Sequence, residues 1–144
     1  SNTMLLAQVT SPFISLDTYE KCIYKYTNSS IDSLNTITKI KEYIWKNNKP
    51  YNYSWPNHPK SQNLPDDIFF LNFGVCIISK TSLINEGNIV TKNNYFYESP
   101  MNENVDIDSE FDFSLSEHIY NLSKPENRYP SKLDDPEYFR GHGY

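Results

Sequence analysis

Three histidines and two cysteines are the residues best suited to nucleophilic or metal chemistry in this chain, and their spacing favours neither. His58, His118 and His142 are scattered, with no second His or Cys at the short separations that zinc sites use. Cys22 and Cys76 are too few for a disulfide framework and lack zinc-type spacing. Both lie in apolar surroundings, Lys21-Cys22-Ile23-Tyr24 and Gly74-Val75-Cys76-Ile77-Ile78. The expectation is two reduced core thiols rather than a Cys/His nucleophile. Asp106-Ile107-Asp108-Ser109-Glu110 starts like a calcium loop, but Phe111 stands where that loop needs Gly for its sharp turn. Asp66-Asp67 and Asp134-Asp135 precede an apolar run and a Pro, positions that suit turns and caps better than acid–base work. No metal and no cofactor is expected.

What remains is charge. The 31 residues from Asn93 to Ser123 hold seven carboxylates (Glu98, Glu103, Asp106, Asp108, Glu110, Asp112, Glu117) and no Lys or Arg. Residues 1–92 carry a net charge of +2 and 124–144 are neutral, so this segment accounts for the net −5 of the chain. A surface of one sign selects partners of the other. Val105, Ile107, Phe111 and Phe113 alternate with Asp106, Asp108, Glu110 and Asp112, which predicts an edge strand with a carboxylate face and an apolar face. Such a strand either guards the sheet against edge-to-edge pairing or docks a basic protein. In the docking reading Glu103, Asp106, Asp108, Glu110 and Asp112 meet Lys and Arg of the partner, while Phe111, Tyr95 and Tyr97 anchor the contact.

A second candidate surface lies in residues 48–67, where Pro50, Pro56, Pro59 and Pro65 interleave with Tyr51, Tyr53 and Trp55. Irregular segments of this length are uncommon and often functional. The alternative is a loop pinned to the core by its aromatics.

The elements that must hold these surfaces follow from periodicity. Residues 4–26 read as extended, with Cys22, Tyr24 and Tyr26 at a period of two. Ile31, Leu34, Ile37, Ile40 and Ile44 recur at three- and four-residue steps, which predicts the longest helix over about 31–46, ended by Pro50. Ile68 to Ser79 is the most apolar run and reads as central strand, with Asn72 and Gly74 marking a bulge or break. Lys80 to Glu86 predicts a short helix closed by Gly87, and Asn88 to Tyr97 another strand. Ser114-x-x-Glu117 fits a capping box for a short helix over 115–122, and Asp135-Pro136 starts one near 136–140. Residues 1–3 resemble an expression scar before Met4, and 141–144 a frayed tail.

The sum is a single α+β domain over 1–144, with a mainly antiparallel sheet. At 144 residues with 22 aromatics, the chain can bury a real core despite a mean hydropathy of −0.67. No apolar run approaches the ~20 residues of a membrane span, no signal-peptide core is present, and a cytoplasmic location is expected. The acidic balance and singly spread cations disfavour nucleic acid.

Leu64-Pro65-Asp66-Asp67-Ile68-Phe69-Phe70-Leu71 and Gly74-Val75-Cys76-Ile77-Ile78-Ser79-Lys80 resemble a segment of bacterial immunity proteins from polymorphic-toxin and contact-dependent growth inhibition systems. In those proteins a Pro-Asp opens an apolar strand, and an Ile/Val-Ser-Glu/Lys introduces a short helix. The match spans roughly 20 residues, and Lys80 stands where an acidic residue is commoner. The resemblance implies a cytosolic, non-enzymatic protein that neutralises one cognate toxin domain, often a basic nuclease. Two alternatives stand beside it. One is a small effector or toxin enzyme with a site built from His58 or His118, Tyr and carboxylates. The other is an accessory structural domain of a phage or mobile element.

Overall fold

The computed structural model describes residues 2–124. They divide into two compact units at Asp106, each described by itself. The first is a four-stranded sheet with helices, the α+β class expected from the sequence. Strand β1 (Thr3–Ala7) leads into helix α1 (Leu16–Thr27), then strand β2 (Ser33–Lys39), a small hairpin of β3 (Trp45–Lys46) and β4 (Lys49–Pro50), the long strand β5 (Phe69–Ser79), helix α2 (Lys80–Glu86) and strand β6 (Asn94–Glu98). The sheet order is β1-β5-β2-β6. Both neighbours of β5 are antiparallel to it, and β6 runs parallel to β2.

The predicted helix over 31–46 is instead β2 and the start of the hairpin. Leu34 and Thr36 point to the α1 side of the sheet, while Ser33 and Asn35 point to the other. All four are buried. Ser33 and Asn35 both donate to Asn94 Oδ1 at 2.7 Å, and the Asn35 amide also reaches the Ile89 carbonyl at 3.0 Å. Polar residues bonded inside a sheet, the Asn35 amide nitrogen among them although its Oδ1 has no partner, broke the expected alternation, and the isoleucine spacing then imitated a helix. Their β-branched neighbours Thr36, Ile37 and Thr38 suit a pleated strand better than a helical turn.

The reverse error fell within residues 4–26, all read as extended: 4–7 lie in β1, but 16–26, with Cys22, Tyr24 and Tyr26, lie within α1. Ser15 caps this helix by accepting from the Thr18 amide at 3.2 Å. Tyr19, Cys22 and Tyr26 then share one face and pack with Leu34, Val75 and Ile77 to form the core. Residues 1–3 were set aside in the sequence reading, yet Thr3 pairs with Ser79, and the Asn2 carbonyl accepts from the Lys80 amide.

Three expectations agree with the structure. β5 covers nearly the whole predicted run, and α2 occupies the predicted short helix, with Ser79 accepting from the Ser82 amide at 3.0 Å and Gly87 left-handed at φ 64°. The bulge also lies where Asn72 and Gly74 signalled it. Asn35 pairs with Cys76 but Ile37 with Leu71, so Asn72-Phe73-Gly74 loops out opposite Thr36, and Phe73 adopts φ 54°. The strand expected over residues 88–97 forms only from Asn94, because 88–92 crosses the sheet face opposite α1, where Ile89 and Thr91 meet Asn35 and Ser33.

In the second unit, helix α3 (Glu110–Ser123) contains the helix expected over 115–122 and extends it toward the N-terminus, into residues expected to form the acidic edge strand. The box that starts it is Ser109 with Asp112, five residues before the predicted one: Ser109 accepts from the Asp112 amide at 3.3 Å, and Asp112 accepts from the Ser109 amide at 2.9 Å. Glu110, Phe111, Asp112 and Phe113 therefore lie on a helix, Val105 to Asp108 lie in the irregular segment before it, and no two-faced strand forms there. The helix near 136–140 and the tail 141–144 fall outside the described residues.

Candidate functional site

The long Pro/aromatic segment builds the most developed surface of the first unit. Asn47 and Asn48 both take positive φ, 52° and 60°, as a two-residue hairpin turn of the I′ type demands. Asn tolerates that region better than other side chains, so two adjacent asparagines specify the turn. Below it, the buried Asn52 acts as a short piece of strand. Its amide oxygen accepts from Ile44 N at 2.9 Å, and its amide nitrogen donates to the Glu42 carbonyl at 2.8 Å. The Tyr43 hydroxyl donates to the Pro59 carbonyl and ties the returning chain down. At the base, Lys41 donates to the Leu64 carbonyl and pairs with Asp66, both at 2.7 Å.

On this frame the aromatics pack on one another. Tyr53 is the hub, with ring centroids 5.4 Å from Tyr43, 6.3 Å from Trp45 and 4.9 Å from His58. Trp55 closes the cluster at 6.1 Å from Trp45 and 5.6 Å from His58. These separations fall in the favourable edge and tilted range, worth about 0.5–1.5 kcal/mol per pair beyond area burial. Yet Trp45, Tyr51 and Trp55 remain 50%, 58% and 65% exposed. The loop is thus not pinned by burying its aromatics in the core; it presents them to solvent in a fixed arrangement. Trp45 and His58 belong to the cluster although the sequence reading left them out of it. The periodic isoleucines had drawn Trp45 into a helix.

Two concavities flank Tyr53. A groove of about 1080 Å³ is lined by Tyr51, Asn52, Tyr53, His58, Pro59 and Asp67 among others. A smaller one of about 540 Å³ lies between Trp45, Lys49, Pro50, Tyr53 and Trp55. Lys46 sits over the Tyr51 ring at 5.8 Å. The Tyr53 hydroxyl is buried without a hydrogen-bond partner.

The acidic surface comes out differently from its expectation. Glu103 is buried, with Oε2 unpartnered, so it does not stand on the free surface as a contact residue. Tyr95 and Tyr97 are half-buried against the core, and Lys25 lies 4.4 Å above the Tyr95 ring. Burial holds the Tyr97 hydroxyl above its ordinary pKa of 10.0. Asp106 is exposed at the end of the first unit, and Asp108 and Glu110 are exposed around the start of α3. Phe111, on the same helix, is 75% exposed. Asp112 is engaged in capping, and the Ser109 hydroxyl bonded to it keeps its carboxyl below the usual 3.8.

No group of three His, Cys, Asp or Glu side chains gathers among the described residues. The resemblance to a calcium loop fails because α3 begins at Glu110, inside it. Burial pushes the Cys22 thiol up to about 12 and the Cys76 thiol to about 11, far from a reactive thiolate. Among the described residues no helix is long and apolar enough to cross a membrane. No family model matches the chain, and no curated protein matches it as a relative.

Proposed function

We propose that this chain is a non-enzymatic binding protein whose exposed aromatic cluster docks a protein partner, and that its role is that of an immunity protein neutralising a cognate toxin domain. The observation that carries the docking reading is the exposure of Trp45, Tyr51 and Trp55 on a hairpin whose turn and base are held by Asn47, Asn48 and Asn52. Interface hot spots are enriched in Trp and Tyr. Side chains held by ring contacts, as Trp45 and Trp55 are, have less entropy to lose on binding. Asp106, Asp108 and Glu110 supply exposed negative charge for a basic partner. The immunity role rests on the resemblance around Leu64–Lys80 and on the acidic balance.

The test is a titration against the C-terminal domain of a large toxin encoded beside the gene for this chain. Binding that blocks the toxin's activity supports the reading; absence of binding to that domain counts against it. Changing Asp106→Asn, Asp108→Asn and Glu110→Gln together should slow association most at low salt, since exposed charges are screened beyond about 8 Å at physiological ionic strength. An association rate indifferent to both salt and these substitutions would remove the steering role.

A second reading is favoured by one observation. The larger groove brings His58 together with Tyr51, Tyr53 and Asp67, the residue types of an acid–base site. An enzyme of that kind would lose its activity in His58→Ala while keeping its fold. A binding protein has no turnover for His58→Ala to abolish, and the change would show only as weaker inhibition through the cluster in which the imidazole packs.

A further inference from the structure

We propose that two copies of this chain pair through β1, edge to edge and antiparallel about a two-fold axis at Leu5. Strand β1 is at one end of the sheet, and its outer side carries no partner strand among the described residues. The direction of its free groups follows from the ladder. The Lys80 amide donates to the Asn2 carbonyl, and the register continues as Thr3 with Ser79 and Leu5 with Ile77. In an antiparallel pair the hydrogen-bonded positions alternate. Asn2, Met4 and Leu6 therefore turn their backbone groups toward β5, whereas Thr3, Leu5 and Ala7 turn theirs outward. The Ser79 amide, which donates away from β1 to the Asp32 carbonyl, fits the same phase.

An outward set centred on Leu5 is self-complementary. Leu5 of one copy exchanges both bonds with Leu5 of the other, while Thr3 does so with Ala7 and Ala7 with Thr3. Natural edges are guarded by charge, Pro or bulges. The Thr-Met-Leu-Leu-Ala sequence of β1 has none of these, so no like charges oppose across the axis. The opposite edge, β6, carries Glu98 and runs into Pro100.

Side chains agree with the backbone. Met4, Leu5 and Leu6 are 37–42% exposed, as is Ile23 of α1 at 43%. An open cleft of about 300 Å³ lies on the α1 face beside Leu5, Ile23, Tyr26 and Ile77. A second of about 160 Å³ lies on the other face beside Leu6, Phe73 and Cys76. Apolar side chains of a second β1 cover both. A second copy is the occupant that the uncharged edge admits: each outward group meets its own counterpart about Leu5, and no like charges oppose across the two-fold axis. A five-residue strand falls at the small end of specific interfaces, so the dimer dissociates on dilution.

Sedimentation of the whole chain over a concentration series tests this, read with amide hydrogen exchange. The expected result is a mass rising toward twice 16.9 kDa, with slowed exchange at the Leu5 amide. Leu5→Lys sets two ammonium groups against each other, and Leu5→Pro removes an outward donor without breaking a bond to β5. Both should give monomers with an unchanged far-UV spectrum. A wild-type monomer at concentrations up to about 1 mM overturns the proposal, as does a dimer that both variants preserve. A Leu5 amide protected only in the presence of a different protein also overturns it. If either variant misfolds, exchange at Leu5 in the wild type still decides.

Discussion

The Thr36 hydroxyl donates to Asn72 Oδ1 at 2.6 Å, joining the central strand to the outlooped residues of its neighbour. The same hydroxyl accepts from the Val75 amide at 2.9 Å, just where the β2–β5 ladder loses register. Asn72 spends its other end on Thr38, Ser99 and Asn104, at 2.9, 2.7 and 3.0 Å. One side chain thus ties the bulge to β2 and to the segment that follows β6. Buried polar groups of this kind are costly to leave unpaired.

Asn72→Ala strands several of these groups at once, and should destabilise the fold by about 2–4 kcal/mol, as loss of partners by more than one buried group implies. Urea unfolding measures it. Thr36→Val removes a smaller set and should cost less than Asn72→Ala; the opposite order would show that Asn72 is not the centre of the network.

Gly74 has room for no side chain as the core stands, because an added Cβ would meet Ile14 Cδ1 at 2.7 Å. That atom is the end of a flexible side chain, but Ile14 is packed against the core. Gly74→Ala should therefore cost about 1–3 kcal/mol, the usual range for overpacking. In Ile14→Val, which shortens the offending side chain, the same substitution should cost less. Additive losses in a double-mutant cycle would contradict the contact.

Both thiols should be inert in the folded protein. With their pKa values pushed to about 12 and about 11 by burial, neither Cys22 nor Cys76 offers thiolate near neutral pH. A thiol reagent should modify both only on the timescale of unfolding. Fast labelling of either one in native buffer would contradict the packing of α1 on the sheet or of residues 88–92 over it.

Asp66 holds the base of the aromatic loop by its contact with Lys41, with Lys39 adding a longer one at 3.8 Å. The Lys41 ammonium keeps the Asp66 carboxyl below its ordinary 3.8. A depressed folded pKa means that the contribution is present above pH 3.8 and lost as pH falls through the lower folded value. Carboxyl NMR titration should place the Asp66 midpoint below 3.8, and Lys41→Ala should raise it. A wild-type midpoint at or above 3.8 would contradict the pairing.

Local signals with a single physical meaning were legible in the sequence. Gly87 after an apolar helical turn predicted the end of α2, because Gly takes the left-handed conformation there at no steric cost, and Asn72 and Gly74 marked the bulge, although the residue that turns left-handed in it is Phe73. Period-based readings failed where tertiary context supplied partners. Ser33 and the Asn35 amide nitrogen are bonded by Asn94, Ile89 and Thr91 from far along the chain, a condition no local window contains. The acids around Glu110 alternated like a strand, but Ser109 and Asp112 cap each other and start a helix. At the site, Tyr51, Tyr53 and Trp55 were named from their setting among prolines. Trp45 and His58 were missed because the cluster forms only after the hairpin folds back, and the adjacent Asn47-Asn48 was the available signal.

The docking claim is tested most directly by calorimetric titration of the toxin domain with the wild-type chain and with Trp45→Ala, Trp55→Ala and their combination. The double variant should stay folded, with an unfolding transition lowered by the lost ring pairs, and bind at least about 30-fold more weakly, the loss expected when hot-spot aromatics worth about 2 kcal/mol are removed. Wild-type affinity in the folded double variant would contradict the account.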